Sequence, residues 1–455
     1  MSRMQVSFLR IEIGCKKDIR IIWTKNIVAV DTSELENARR ELTEERSARH
    51  EIEAEKARLQ LAFQMGKLEM TRMEREIDDL RKLNSTRLMQ QINKYQETSK
   101  HLLRAQSTNG SYVIGGLVTI STEPQAARVM SFNPHYEMLI VDKSMLGSGS
   151  GTAGLLKISL RETSSQEYVP VHCKSVRDVQ CSPTGSGLIL TTSLDKTLKL
   201  TSTVGSNSIV QSFELDSPGW SCSWKDDDTN YMFCGLANGT VLMFDIRSTK
   251  GPVARLQYGR KPIHSMTYIA QSNEARVSGL IAGSFDYVFL WNAAGNGDIG
   301  LYENNEITQH SKLDVQVSGA SCYSVSYDQT TQQVLASFRG ASFTRHVVSA
   351  LNTTDDGLPT LHEMRVHSGK SGQKSMARTF IFSRQQPNEI KTYICSGDED
   401  SCSLSIWGPE GEVQLERQMN WGKECVIDVK RCVQLSGKDI IAGLTERHVR
   451  LYSYQ

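Results

Sequence analysis

The sequence predicts a mostly β protein, a seven-bladed β-propeller preceded by a long α-helical coiled coil. Two observations carry this prediction. A pair of short strands joined by a tight polar turn recurs along the C-terminal three-quarters of the 455-residue chain, and a heptad pattern of apolar residues precedes it. We expect an N-terminal segment without a complete domain at 1–30, the coiled coil at 31–104, a linker at 105–111 and the propeller at 112–455.

The strand–turn–strand unit is clearest in two places, Leu194–Thr201 and Leu236–Asp245. Apolar and polar residues alternate in the second strand of each, as in a half-buried strand. Further copies end near Trp291, Trp407 and Tyr452, a degenerate copy covers 334–349, and another at 138–160 precedes them all. Seven copies spaced roughly 40 to 60 residues apart match the blade period of a WD-repeat propeller.

Residues at the turns are interpreted as structural. His172 lies where such repeats use a histidine to hydrogen-bond a turn, and Ser193 and Asp195 follow it. The turn of the next blade contains Asn238. Asp195, Asp286 and Asp400 are expected to cap inter-strand turns. No arrangement of serine, cysteine, histidine and aspartate indicates a catalytic residue.

Residues 112–122 return to β character just before the first repeat. A propeller commonly takes one outer strand from its N-terminal side to complete its last blade, which removes exposed sheet edges. This segment is therefore expected to pair with the blade that ends at Tyr452.

A heptad with Leu35 at position a runs through the helical segment, after a capping box formed by Ser33 and Glu36. Polar residues at a positions, such as Lys56 and Asn84, weaken the apolar seam but can fix its register. A lone helix cannot bury this stripe, so self-association through the coiled coil is expected. The alternative is a single, solvated, charged helix.

Lysine recurs in one phase of the loop that enters a blade, at Lys174, Lys261, Lys374 and Lys423. Equivalent positions of a closed ring lie on one face, so these side chains would form a basic crown that favours an acidic partner. Trp220 falls in the same phase and is a candidate hot-spot residue. The alternative is four solvated loop lysines.

Charge and hydropathy exclude some classes of partner. After residue 105 the chain has 31 Lys/Arg against 34 Asp/Glu. A domain held on DNA by phosphate contacts is normally basic, so direct sequence-specific nucleic-acid binding is not expected. No apolar run approaches the ~18 residues that would span a membrane. Gly149–Gly154 matches a dinucleotide fingerprint by letter, but the residues after it predict a strand where that motif needs a helix.

Several stretches resemble one known family, the RING finger and WD-repeat ubiquitin-protein ligases of the replication-stress and interstrand-crosslink response. They are residues 29–34, Ser193–Ser202, Trp220–Trp224, Cys234–Arg247 and Thr445–Tyr452, and the resemblance covers about residues 16–455. It implies a nuclear protein of DNA repair whose propeller recruits replication protein A as substrate. It also implies a RING that recruits a ubiquitin-conjugating enzyme.

The sequence departs from this family at the RING, which needs eight zinc ligands from cysteine and histidine. Before position 110 only Cys15, His50 and His101 are present. Zinc is therefore expected for the family's RING and no cofactor for this chain, which we interpret as a truncated gene model or a short isoform that binds substrate without transfer activity. The alternative function is a non-enzymatic coiled-coil and WD-repeat scaffold.

Overall fold

A computed structural model describes most of the chain. The described residues are 6–13, 19–26, 32–104, 112–145, 152–271, 277–294, 298–299, 310–354, 358–369, 373–386, 389–409, 415–420 and 424–454. They fall into two compact units, Met1–Thr98 and Ser99–Gln455. The predicted linker at 105–111 lies outside the described residues.

The N-terminal unit contains a β-hairpin and a long helix. Strands β1 (Val6–Ile13) and β2 (Ile19–Asn26) pair antiparallel. Helix α1 (Thr32–Arg104) confirms the predicted helical region. Its apolar heptad positions are exposed along the described surface, with Phe63 at 75% and Leu59 at 66% exposure. No helix among the described residues is long and apolar enough to cross a membrane.

The second unit confirms the predicted seven-bladed β-propeller. Blades 1 to 3 each have four antiparallel strands. Blade 1 contains β4 (Met130–Asn133), β5 (Met138–Met145), β6 (Thr152–Ser159) and β7 (Gln166–His172). Blade 2 contains β8 (Val176–Cys181), β9 (Leu188–Ser193), β10 (Thr197–Ser202) and β11 (Ser208–Glu214). Blade 3 contains β12 (Gly219–Trp224), β13 (Tyr231–Leu236), β14 (Thr240–Asp245) and β15 (Ala254–Gln257).

Blades 4 to 6 repeat this arrangement, with one additional short strand in blade 4. Blade 4 contains β16 (Ile263–Ile269), β17 (Gly279–Ser284), β18 (Val288–Ala294), β19 (Asp298–Ile299) and β20 (His310–Leu313). Blade 5 contains β21 (Ser321–Asp328), β22 (Gln333–Arg339), β23 (Thr344–Thr353) and β24 (Pro359–Gly369). Blade 6 contains β25 (Phe380–Gln385), β26 (Ile390–Asp398), β27 (Ser403–Trp407) and β28 (Leu415–Asn420).

Blade 7 closes the ring with a strand from the other end of the propeller sequence. Its own strands are β29 (Asp428–Val433), β30 (Asp439–Leu444) and β31 (His448–Tyr454). The fourth is β3 (Tyr112–Thr119), which pairs antiparallel with β31 from Tyr112 opposite Tyr454 to Thr119 opposite His448. The predicted pairing is confirmed, and it joins the two ends of the circle by backbone hydrogen bonds.

The first strands of the blades form the inner circle. Each packs against the first strand of the next blade, and β29 packs against β4. Among the described residues an apolar cluster lies between each pair of neighbouring blades. The largest side chains there, Trp291, Phe233 and Phe289, are fully buried, and each such burial contributes roughly 1.5–3 kcal/mol. The stability of the ring therefore depends on the contacts between blades.

Ion pairs and aromatic rings tie the closing strand to blade 6. Asp439 accepts hydrogen bonds from Arg384 Nη2 at 2.8 Å and from Arg431 Nη2 at 2.9 Å. The Arg384 guanidinium lies 3.8 Å from the centre of the Tyr454 ring and also contacts the ring of Tyr112. We call Arg384, Arg431 and Asp439 the closure clasp, since they link β25 of blade 6 to β29 and β30 of blade 7.

Replacing Gly154 with alanine is expected to destabilise blade 1 by about 1–3 kcal/mol. Gly154 lies in β6, next to the residues for which a strand was predicted, and a Cβ there would collide with the carbonyl oxygen of Val169. Backbone atoms cannot move away as a flexible side chain can. Gly116→Ala is the control, because its Cβ would meet only a Leu451 methyl group at 4.0 Å. Urea unfolding of both variants measures the difference, and equal stability would contradict this explanation.

Candidate protein-interaction site at the channel mouth

Three of the four lysines of the predicted basic crown lie at the end of the propeller where the first strands of the blades begin. Lys174, Lys261 and Lys374 are all exposed in the loops that enter blades 2, 4 and 6. Lys423 lies outside the described residues. Side chains from the starts of six first strands line one opening, so these starts share one end of the propeller. We call this end the mouth face.

His172, Ser193 and Asp195 form a hydrogen-bond network at the mouth face. His172 Nδ1 lies 2.9 Å from Asp195 Oδ2, and its Nε2 lies 2.9 Å from the Thr191 hydroxyl. The Ser193 hydroxyl donates to the carbonyl of Lys174 at 2.9 Å, which fixes the loop that carries this lysine. Burial lowers the pKa of His172, against the opposing effect of Asp195. The network positions a loop and has no open face for a substrate.

The other turn residues have different environments. The Asn238 side chain accepts a hydrogen bond from the Thr240 amide at 3.2 Å. Asp286 and Asp400 are exposed, and neither carboxylate has a hydrogen bond within the described part of the chain. The Ser284 hydroxyl accepts the amide of Tyr287 in blade 4, and Asp398 accepts the amide of Ser401 in blade 6 at 2.8 Å. The capping role predicted for Asp286 and Asp400 therefore belongs to neighbouring residues, which lie closer to the turn amides.

Asp195→Ala is expected to lower the free energy of unfolding by about 2–4 kcal/mol, because it leaves several buried partners without an acceptor. Asp195 accepts from the Thr197 amide at 3.0 Å, the Thr197 hydroxyl at 2.7 Å and the Cys173 amide at 3.2 Å. The control Asp286→Ala should change stability by less than about 0.5 kcal/mol. Chemical denaturation compares the two variants. A similar loss in both would mean that Asp195 is an ordinary surface residue.

A β-bulge near the start of the first strand shapes the opening in four consecutive blades. The pairing register shifts between Val176 and Asp178, and at the equivalent positions of blades 3, 4 and 5. The extra residues are Arg177, Trp220, His264 and Tyr323. A bulge turns the side chain of its extra residue away from the regular alternation. All four side chains consequently line the same opening.

Hydrogen bonds between blades hold these bulges in place. The residue after the bulge accepts a hydrogen bond from the backbone amide of the next blade's first strand in three cases. These pairs are Asp178 with the amide of Cys222 at 2.9 Å, Ser265 with that of Val325 at 3.2 Å, and Ser324 with that of Thr379 at 3.0 Å. The backbone around the opening is therefore held by hydrogen bonds between neighbouring blades.

Three arginines approach this opening: Arg128, Arg177 and Arg378. Arg378 Nη1 donates to Asp178 at 2.7 Å, and this side chain is only 19% exposed. Burial opposes the charge of Arg378, but Asp178 and Asp428 outweigh it and raise the pKa. For Arg177, burial and then the charges of Arg128 and Arg378 lower the pKa. The guanidinium groups thus repel one another, an arrangement that a bound anion would stabilise.

Trp220 forms an aromatic wall beside these arginines. The Arg177 guanidinium lies 4.1 Å from the centre of the Trp220 ring, a cation–π contact. On another side, the Trp220 and Phe285 ring centres are 6.5 Å apart in an edge-to-face arrangement. Trp220 is only partly buried, so part of its ring is available to a partner. Tryptophan and arginine are, with tyrosine, the residues most enriched at energetic hot spots of protein interfaces.

The opening is too small for a substrate pocket. The cavity between these side chains has a volume of about 20 Å³, enough for one water molecule. No group of three or more histidine, cysteine, aspartate or glutamate side chains within the described ranges could hold a metal ion. The mouth face therefore has the properties of a protein-binding surface: a rigid aromatic and arginine centre with exposed lysines around it.

Sequence reasoning identified Trp220 but missed Arg128, Arg177 and Arg378. A signal for one of them was present, since Arg177 follows Lys174 by the same three residues that separate His264 from Lys261. The spacing between Lys374 and Arg378 is one residue longer, which hides the equivalence. Arg128 precedes the first repeat and has no lysine to mark it. A search for bulge positions in each blade would have found Arg177.

A closed ring of four-stranded blades, each entered through a loop at a common face, defines the WD-repeat class of propeller. Comparison with known proteins gives a narrower assignment. A family model described as the E3 ubiquitin-protein ligase RFWD3 WD40 domain matches residues 112–453. The chain belongs to the RFWD3 family, which are E3 ubiquitin-protein ligases with a WD40 propeller, and the resemblance found in the sequence is confirmed.

Three curated relatives are each named E3 ubiquitin-protein ligase RFWD3. The chain is 27% identical over 457 residues to that of Homo sapiens, 26% over 455 residues to that of Ailuropoda melanoleuca and 26% over 454 residues to that of Mus musculus. Each alignment covers 96% of this chain and 56% of the relative. The chain therefore spans about half the length of the curated relatives it matches.

Proposed function

We propose that this chain recruits substrates for protein ubiquitination, with replication protein A as the partner held by the propeller. It would act in the nucleus, in DNA repair under replication stress and at interstrand crosslinks. The names of the relatives support the ubiquitination part of this proposal. Replication protein A, the repair pathway and the nucleus come from the resemblance of the sequence to the family.

The observation that carries the proposal is the mouth face. Its lysines and arginines surround Trp220 on a propeller region with three more acidic than basic residues. A local basic surface on an acidic domain directs an acidic partner to one place and repels it elsewhere. The rigid Trp220 and Arg177 pair supplies a centre where binding energy can concentrate. This arrangement supports recruitment better than catalysis.

Ubiquitin transfer by a RING ligase depends on proximity, since the RING holds a charged conjugating enzyme near a substrate lysine. The chain's own part in such a reaction is to hold the target. The printed sequence does not contain the cysteine and histidine set that a RING needs for its zinc ions. Transfer that involves this chain therefore depends on a RING outside the printed sequence.

Helix α1 would bring copies of the chain together. Its seam residues Leu42, Ile52, Leu59, Phe63 and Met70 are at least half exposed in the single chain. Pairing two or more helices would bury this stripe, which a lone helix cannot do. Two propellers held in one assembly would also bind a multivalent target with higher avidity than one propeller.

The experiment is a binding measurement between the full chain and purified replication protein A. The variant Lys261→Glu with Lys374→Glu reverses two exposed charges of the mouth face. We expect about a tenfold loss of affinity at low salt, and a smaller loss as salt rises, because exposed charges are screened. Lys250→Glu with Lys438→Glu is the matched control, since both are exposed and both lie in turns that do not enter a blade.

The outcomes separate the proposal from its rivals. Loss only in the mouth-face variant supports recruitment through this face. Equal affinities in both variants would mean that the crown lysines are solvated surface residues, as the alternative interpretation holds. Absence of any binding to replication protein A would favour a non-enzymatic scaffold with a different partner.

A further inference from the structure

Two of the three mouth arginines have no carboxylate bonded directly to their guanidinium groups within the described residues. The guanidinium groups of Arg128 and Arg177 make no hydrogen bond or ion pair within the described part of the chain, and Arg177 Nε is buried without an acceptor. The nearby carboxylates are already engaged. Asp178 pairs with Arg378, and Asp142 accepts the backbone amides of Arg128 and Val129 at 2.6 and 2.8 Å. The charges of Asp142 and Glu446 still act on Arg128, and those of Asp142 and Asp178 on Arg177, but at a distance. Two guanidinium groups at one opening are therefore without a directly bonded acceptor.

The number and shape of these charges select the anion. A phosphorylated serine or threonine carries roughly −1.5 to −2 charge and three acceptor oxygens, whereas a carboxylate carries one negative charge. Guanidinium groups donate pairs of parallel hydrogen bonds that match phosphate oxygens. Two arginines without a directly bonded acceptor are thus better matched by the three oxygens of one phosphate group than by one carboxylate.

The surroundings restrict what carries the phosphate. The cavity behind the opening holds about one water molecule, so the phosphate group would remain at the mouth. Single-stranded nucleic acid is normally bound in a basic groove that follows its backbone, but the described arginines meet at one point of an acidic propeller. The exposed part of Trp220 can pack against apolar atoms next to the phosphate. A side chain on a protein segment meets these requirements.

We propose that Arg128, Arg177 and Trp220 form a binding site for a phosphorylated serine or threonine of a partner protein. Arg128 and Arg177 hold the phosphate oxygens, and Arg378 with its Asp178 partner supports them from behind. Trp220 keeps the Arg177 guanidinium in position through their 4.1 Å contact. This inference rests on the proposed use of the mouth face for recruitment and adds the chemistry that the face recognises.

The test uses fluorine NMR on the full chain labelled with 5-fluorotryptophan. The chain has six tryptophans, and Trp220→Phe identifies the resonance of Trp220. O-phosphoserine is titrated at constant ionic strength, with glutamate and oligothymidine in parallel titrations. We expect a saturable shift of the Trp220 resonance with phosphoserine in the low millimolar range, and at least a tenfold weaker effect with glutamate.

Arg177→Gln and Arg128→Gln should each weaken the phosphoserine effect at least tenfold. Arg255→Gln is the matched control, because Arg255 is exposed, pairs with Asp216 and does not line the opening. It should leave the titration unchanged. Thermal unfolding checks that each variant is folded, and Arg128→Gln decides the matter if Arg177→Gln does not fold. The absence of a saturable shift, or equal effects of glutamate and phosphoserine, would overturn the proposal.

The titration and the binding measurement with replication protein A together separate this inference from the proposed function. A phosphoserine effect without binding of replication protein A would retain the site and reject that partner. Binding of replication protein A that is unchanged in both arginine variants would retain the partner and reject the site. A tighter response to oligothymidine than to phosphoserine would assign the mouth to nucleic acid instead.

Discussion

Replacing Asp439 with alanine is expected to lower the free energy of unfolding by about 3–5 kcal/mol, because it breaks a largely buried ion pair network. Asp439 is the shared acceptor of the closure clasp, 2.8 Å from Arg384 and 2.9 Å from Arg431. Removing the Asp439 carboxylate leaves Arg384 and Arg431, which have little access to water, without a paired anion. The closing strand β3 contacts one of them, Arg384, through the ring of Tyr112, so we expect the seal between blades 6 and 7 to weaken first.

The effect of this substitution should depend on pH. Burial opposes the charge of Asp439, but the hydrogen bonds and charges of Arg431 and Arg384 outweigh it and lower the pKa. A carboxyl group with a lowered pKa in the folded state contributes stability above its unfolded pKa of about 3.9, and loses that contribution as pH falls through the folded pKa. The difference between the wild-type chain and Asp439→Ala should therefore be full at pH 7 and shrink below about pH 4.

Denaturant unfolding monitored by circular dichroism, at pH 7 and at acidic pH, measures this difference. Asp216→Ala is the control, because Asp216 also pairs with an arginine but is 67% exposed. It should cost less than about 0.5 kcal/mol, as exposed ion pairs usually do. If Asp439→Ala were as mild as Asp216→Ala, the clasp would not contribute to closure.

The second large effect is expected in helix α1. Changing Phe63 and Met70 together to glutamate should convert a self-associated chain into a monomer, because both lie at a positions of the heptad. Four added charges in a paired seam would face one another in a dimer, and the one cation between them in each chain, Lys67, offsets this repulsion only in part. Sedimentation equilibrium measures the mass of the assembly directly.

The control for this variant has the same chemistry on the opposite side of the helix. Leu61 and Leu68 are both apolar and exposed, at 63% and 73%, and both occupy position f of the same heptad. Leu61→Glu with Leu68→Glu should leave the assembly intact. If both double variants dissociate equally, the stripe does not define the contact. If the unmodified chain is already a monomer, the helix is a solvated one.

The repeats predicted the propeller correctly because the strands and turns of each blade are determined by residues close in sequence. Alternating strands and tight turns are set by residues close in sequence, such as Asn238 and Gly239 at the turn between β13 and β14. The strand from Tyr112 was also placed correctly, since a closed ring leaves only one blade without a fourth strand. These predictions needed no knowledge of which side chains meet.

The candidate site shows where this local reasoning stops. Asp195, Asp286 and Asp400 occupy similar places in their repeats, yet only Asp195 has a buried histidine beside it. Likewise, the sequence marks Arg177 only by its spacing from Lys174, which does not show which side chains it meets. Its importance arises from a bulge and from Arg128 and Arg378, which are 49 and 201 residues away in the chain.

The sequence by itself determined the number of blades, the closing strand, the long helix and the family, because these follow from periodic patterns and short motifs. Only the tertiary structure decided that three arginines and one tryptophan meet at the channel mouth, and which carboxylates are already engaged there. The physical reason is that charge, burial and hydrogen bonding depend on distances between blades, and ring closure sets those distances.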